Sequence, residues 1–142
     1  MNNFFIWLAT LGGVIVVALG VANWASRKSA ALRNCATFVL AAGASYCVSF
    51  VVDIWAQTAL GNIPPGNVVL PSITWLVFAS ALGAAAFLTG GSAYAIWLPF
   101  ALNAVLALVV SSVHPQNLTV GLVLLLLAVI VTLVQRVARR LP

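Results

Sequence analysis

Five apolar runs, each long enough or nearly long enough to cross a bilayer, occupy most of this sequence and leave little else to fold. They cover about residues 4–24, 35–60, 72–89, 93–110 and 118–134. A hydrocarbon core of about 30 Å needs roughly 20 apolar residues in helical form. Inside that core every backbone polar group must be paired within its own segment, which leaves the α-helix as the structure for isolated runs. The expected fold class is therefore an all-α integral membrane protein, a bundle of five transmembrane helices forming a single domain over residues 1–142.

Composition removes the alternative of a soluble domain. Only 5% of the residues are charged and 64% are hydrophobic, whereas a water-facing shell takes about 25% charged residues. Lipid is the solvent that accepts such a chain.

The connectors are marked by turn and charge signals. Ser26-Arg27-Lys28-Ser29 through Arg33 follows the first run, and Gly61-Asn62-Ile63-Pro64-Pro65-Gly66-Asn67 closes the second. Gly90-Gly91 separates the third from the fourth, and the short connector there predicts a tight antiparallel hairpin. His114-Pro115-Gln116-Asn117 breaks the chain before the fifth. Reading Gly90-Gly91 as a kink inside one long helix would give four spans and would put the two basic clusters on opposite sides.

All six basic residues fall in two segments: Arg27, Lys28 and Arg33 in the first connector, and Arg136, Arg139 and Arg140 in the C-terminal tail. Five spans place these segments on one side, and positively charged loops stay cytoplasmic. The N-terminus is then outside and the C-terminus cytoplasmic. The bases follow the first run rather than preceding it, which predicts a reversed anchor helix rather than a signal peptide. Tryptophans give a second indication, since indoles favour the headgroup level. Trp7 and Trp24 bracket the first run at a helical separation of about 25 Å, Trp55 and Trp75 fall near outer ends, and Trp97 near an inner one.

Six bases in two clusters are too few for a nucleic-acid stripe. They are expected to contact anionic lipid headgroups on the cytoplasmic side. Cys35 and Cys47 lie on one helix about 18 Å apart, beyond disulfide reach, and are expected to be small buried thiols.

Asp53 is the only acidic side chain, and it lies inside a span, where an ionised group costs about 3 kcal/mol or more. Ser45, Ser49, Asp53 and Gln57 recur every four residues along one ridge of the second helix, with Tyr46 on the same face. Asp53 falls about 27 Å along its helix from Cys35, in the outer leaflet and far from every base. Four outcomes are open to it: a neutral acid bonded to Ser49 or Gln57, a wet cavity holding a cation, a pair with His114, or a base on a partner subunit. Pro99 and Asn103, one turn apart, form a second constellation. Proline frees the carbonyl of Ala95, and an asparagine in mid-membrane needs a partner on another helix; interhelical bonding and gating are both compatible with them.

Small residues supply close-packing faces: Gly13 and Gly20 with Ala9 and Gly12 in the first run, and Ser80 with Ala84 and Ala79 with Gly83 in the third. Leu122 to Leu127 is apolar all round and is expected to face lipid over much of its surface.

With one acid and one histidine, a carboxylate pair and a catalytic triad are out of reach, and neither a metal site nor a cofactor is expected. An autonomous enzyme is not expected. The function expected first is a structural or regulatory subunit of a membrane complex or homo-oligomer, whose partner is itself or another membrane protein. A small oligomeric ion or solute channel lined by Ser45, Ser49, Asp53 and Gln57 is the alternative. A holin-like or immunity or exclusion protein is a further class, by analogy alone. Small size and basic cytoplasmic flanks suggest a bacterial inner membrane. Ala93-Tyr94-Ala95-Ile96-Trp97 is similar to a stretch in small multidrug-resistance transporters. The glutamate those carry in their first span is missing here and the layout differs, so no family is assigned.

Overall fold

Hydropathy marks only the part of a helix that lies in hydrocarbon, and every helix here but the fourth runs past its apolar run at one end or both. The computed structural model describes residues 2–114 and 117–140. Its elements are α1 (Asn2–Ser26), α2 (Ala30–Ala59), a 3-10 turn (Pro65–Asn67), α3 (Val69–Leu88), α4 (Ala93–Val110) and α5 (Asn117–Arg140). Helix α2 starts five residues before its apolar run because Ser29 caps it, its side chain accepting from the Leu32 amide at 3.5 Å. Helix α3 starts earlier than its run because Pro71 falls within its first turn, where no intrahelical amide is needed.

The architecture is that of a helical membrane protein. Four of the helices among the described residues are long and apolar enough to cross a membrane. Helix α4 is apolar but shorter, at Tyr94–Val110, and Pro99 lies inside it without ending it.

Helix α2 is the hub. It packs against each of the other four, while α1 adds to α3 on one flank and α5 adds to α4 on the other. The hairpin expected of the third and fourth runs is corrected by this arrangement: α3 and α4 are consecutive yet scarcely touch, because each lies against a different side of α2. The connector between them breaks the helix, with Gly90 at φ +74°. It is held to the start of α2 instead. Thr37 and Thr89 share a buried hydroxyl hydrogen bond, and the Ser92 amide donates to Asn34 Oδ1 at 2.8 Å. Gly91 is required there, since a Cβ would run into the Thr37 side chain and come within 3.2 Å of the Arg33 carbonyl.

Successive helices alternate in direction. The Trp7 indole at the start of α1 donates to Thr74 Oγ1 at the start of α3, at 2.6 Å. Near the end of α2, Phe50 stacks on Trp75 at 4.9 Å between ring centroids, so Trp75 is an interhelical contact as well as an end marker. The end of the bundle that carries Arg27, Lys28 and Arg33 also carries the Gly90-Gly91 connector and the start of α4.

Small side chains build the core. Eight of the twelve residues in its central cluster are alanine, with Leu40, Phe100, Val120 and Leu124 filling the rest. In lipid, where apolar contact alone gives no preference, such residues let backbones approach closely enough for dispersion to hold helices together. Gly121 marks the tightest crossing of α4 and α5: a Cβ there would lie 2.6 Å from Leu108 Cγ and 3.2 Å from the Ala104 carbonyl.

The glycine, cysteine and leucine faces fare differently. Helix α1 packs through Leu11, Ala18, Ala22 and Ala25, and Gly12, Gly13 and Gly20 look into open space. Its glycine face is therefore not used within the subunit. Cys47 is buried as expected, whereas Cys35 is exposed, because its position on α2 lies beyond the reach of the neighbouring helices. In the leucine run of α5, Leu122 and Leu126 are exposed, but Leu124 is fully buried against the hub.

Candidate functional site

Residues three, four and seven apart share one face of a helix, and on α2 the set that forms a wall is Tyr46, Ser49, Phe50 and Asp53. Opposite them stand Asn103, Leu106, Ala107 and Val110 of α4 and Asn117 and Val120 of α5. Together they line an open groove of about 280 Å³. It lies toward the end of the bundle opposite the first basic connector, since Asp53 is six positions before the end of α2.

The ridge expected at Ser45, Ser49, Asp53 and Gln57 divides into three environments. A four-residue step exceeds a helical turn by about 40°, so Ser45 and Gln57 differ by roughly 120° and cannot share one groove. Ser45 is buried beneath it, donating to the Ala42 carbonyl at 2.9 Å and accepting from Asn103 Nδ2 at 3.3 Å. Gln57 turns toward the following connector, its Oε1 accepting from Asn62 Nδ2 at 2.7 Å. Ser49 and Asp53 remain in the groove with Tyr46.

Asp53 is half-buried, and its polar neighbours on α2 bond to other groups. Ser49 gives its hydroxyl to the Tyr46 carbonyl at 2.6 Å, and Gln57 is turned toward Asn62, from which its Oε1 accepts. Among the described residues none donates to the carboxylate. His114 is exposed on its connector and does not line the groove. Helix α5 begins at Asn117, so the positive end of its dipole adjoins the site.

Asn103 belongs to both the groove and the bond to Ser45. Pro99 is buried one turn earlier on α4 and lies outside the groove. Asn117 is the residue that the sequence did not single out. It sat in what read as a broken connector, although an asparagine just before an apolar run is itself a helix-start signal.

Of the basic residues, Lys28 covers the Trp24 ring with its ammonium 5.3 Å from the centroid, and Arg33 donates to the Lys28 carbonyl at 2.9 Å. Arg27 and Arg136 are exposed. The side chains of Arg139 and Arg140 lie outside the described residues.

A lone carboxylate beside asparagines, a serine and a tyrosine has no second carboxylate or histidine in the groove with which to share a proton. It is suited to receiving a hydrogen-bond donor or a cation from outside the subunit. Compared with protein-family models, curated proteins and solved structures, the chain matches none.

Proposed function

We propose that this protein is a structural or regulatory subunit of a membrane assembly, and that the Asp53 groove receives a donor or cationic group of a neighbouring subunit. In this reading all five helices span a bacterial inner membrane, with the N-terminus outside and the basic end in the cytoplasm. Helix α4 reaches about 25 Å over its described apolar stretch, a mismatch of a few ångströms that local thinning or flanking residues absorb at modest cost.

The carrying observation is the Asp53 carboxylate itself, the one acid of the chain, which opens sideways between α2, α4 and α5 without a donor among the described residues. Ionised or neutral, such a group in hydrocarbon favours a polar neighbour. The outward glycine face of α1 supports the same reading, since it offers a second close-packing surface that the subunit leaves unused.

The channel reading draws on the polar groups at both ends of α2, the Asp53 groove and the Thr37–Thr89 bond. Between them Leu40, Ala41 and Ala44 pack against Leu124 and Ala85, so one copy has a dry middle and any path would have to run between copies.

Blue-native electrophoresis and detergent-corrected mass on the tagged full chain, extracted from its membrane, test the first reading. A species larger than one chain is expected, weakened in Asp53→Asn. A strictly monomeric protein removes the proposal. Liposome flux separates the alternative, which needs transport by the wild type that falls in Asp53→Asn.

A further inference from the structure

A second cleft with a polar tip stands apart from the one around Asp53. It lies between α4 and α5 at the opposite end, has a volume of about 640 Å³, and ends at Arg136. Its floor is apolar, with Ala101 of α4 facing Leu125 and Val129 of α5. Tyr94 and Trp97 flank the mouth, their rings 5.6 Å apart. From Leu125 to Arg136 the cleft runs about 17 Å at helical rise, close to one leaflet of a 30 Å hydrocarbon core.

Two features at the mouth ask for a ligand. Arg136 carries a charge that no side-chain carboxylate of this protein can meet, since Asp53 is the only acid and sits at the other end of the bundle. Gln135, beside it in the lining, has a buried Oε1 with no hydrogen-bond partner among the described residues. A buried carbonyl oxygen left without a donor is costly, and here it borders the cleft.

We propose that this cleft seats a single membrane glycerophospholipid with an anionic, hydroxyl-bearing headgroup, its phosphate on Arg136 and a headgroup hydroxyl donating to Gln135 Oε1. One acyl chain lies along Ala101, Leu125 and Val129. The chain contributes no selectivity, because the surrounding bilayer is as apolar as the cleft. Selection comes from the head. A choline head brings a cation toward Arg136 and has no hydroxyl to donate. The aromatic pair sits at the headgroup level, where indole and phenol rings are favoured.

Native mass spectrometry of the full chain in detergent, with equimolar phosphatidylglycerol, phosphatidic acid and phosphatidylcholine of identical chains, tests the proposal. The expected result is retention of one phosphatidylglycerol in preference to the other two. Arg136→Gln, an exposed substitution that leaves the bundle intact, lowers that adduct about fivefold, the effect of one base near an anionic surface. Arg27→Gln, an exposed base on the connector after α1 and outside the cleft, leaves it unchanged. Gln135→Leu keeps the preference over phosphatidylcholine and loses the preference over phosphatidic acid. Equal retention of phosphatidylglycerol and phosphatidylcholine, or an equal fall in the Arg27 and Arg136 variants, overturns it.

Discussion

Asn103 on α4 donates its side-chain amide to the Ser45 hydroxyl on α2 across 3.3 Å, joining the hub to one flank. Such bonds in membrane bundles contribute about 0.6 kcal/mol on average and up to about 1.7. Ser45→Ala should cost an amount in that range, because the amide loses its acceptor. Asn103→Leu should cost less, since it removes the donor and leaves Ser45 with the Ala42 carbonyl. Reversible unfolding of the full chain in mixed micelles measures both. No change in Ser45→Ala would show that the contact carries no energy.

The crossing of α4 and α5 at Gly121 admits no methyl group, with Leu108 Cγ only 2.6 Å from where it would stand. Gly121→Ala is therefore expected to destabilise by about 1–3 kcal/mol through overpacking. Leu108→Ala should restore part of the loss in the double variant, giving a coupling that distant sites do not show. Strict additivity of the two substitutions would place the crossing elsewhere.

Helix positions were legible in the sequence because hydropathy reports the lipid solvent directly. The observed α4, Ala93–Val110, coincides with the fourth apolar run. Pairing of helices was not legible, for the same reason: side chains equally welcome in lipid and in the core leave no periodic contrast to read. Leu124 is fully buried and Leu126 largely exposed, though both stand in one unbroken leucine run. The short connector at Gly90-Gly91 suggested a hairpin, whereas the Thr37–Thr89 and Asn34–Ser92 bonds draw that connector to α2. Asp53 stood out at once as the lone acid. Its meeting with Asn103 and Asn117 did not, because these come from helices whose rotation about α2 is set by alanine packing.

The two cysteines offer a probe of that rotation. Cys35 is exposed and Cys47 is 5% exposed, twelve positions apart on one helix and about 120° apart around it. A small lipophilic maleimide should add once to the native protein in detergent, at Cys35, and a second time only after denaturation. Intact mass on the wild type, Cys35→Ser and Cys47→Ser reads the outcome. Modification of Cys47 at the rate of Cys35 would show α2 turned differently from the orientation that forms the Asp53 groove.

Helix α1 carries the most direct test of self- or partner-association. Its buried side, Leu11, Ala18, Ala22 and Ala25, faces the bundle, and a Cβ at Gly13 or Gly20 has nothing within 4 Å among the described residues, so a leucine there points away from the subunit. Leucine also favours a helix over glycine by roughly 0.5–1 kcal/mol, so the isolated subunit should hold or gain stability. A partner helix packed on that glycine face would be pushed away, because close backbone approach there depends on the missing side chains. Gly20→Leu is therefore expected to lower the assembled fraction in blue-native gels while leaving subunit unfolding unchanged or shifted upward. Retention of full assembly would take α1 out of the interface and leave the Asp53 groove as its sole support.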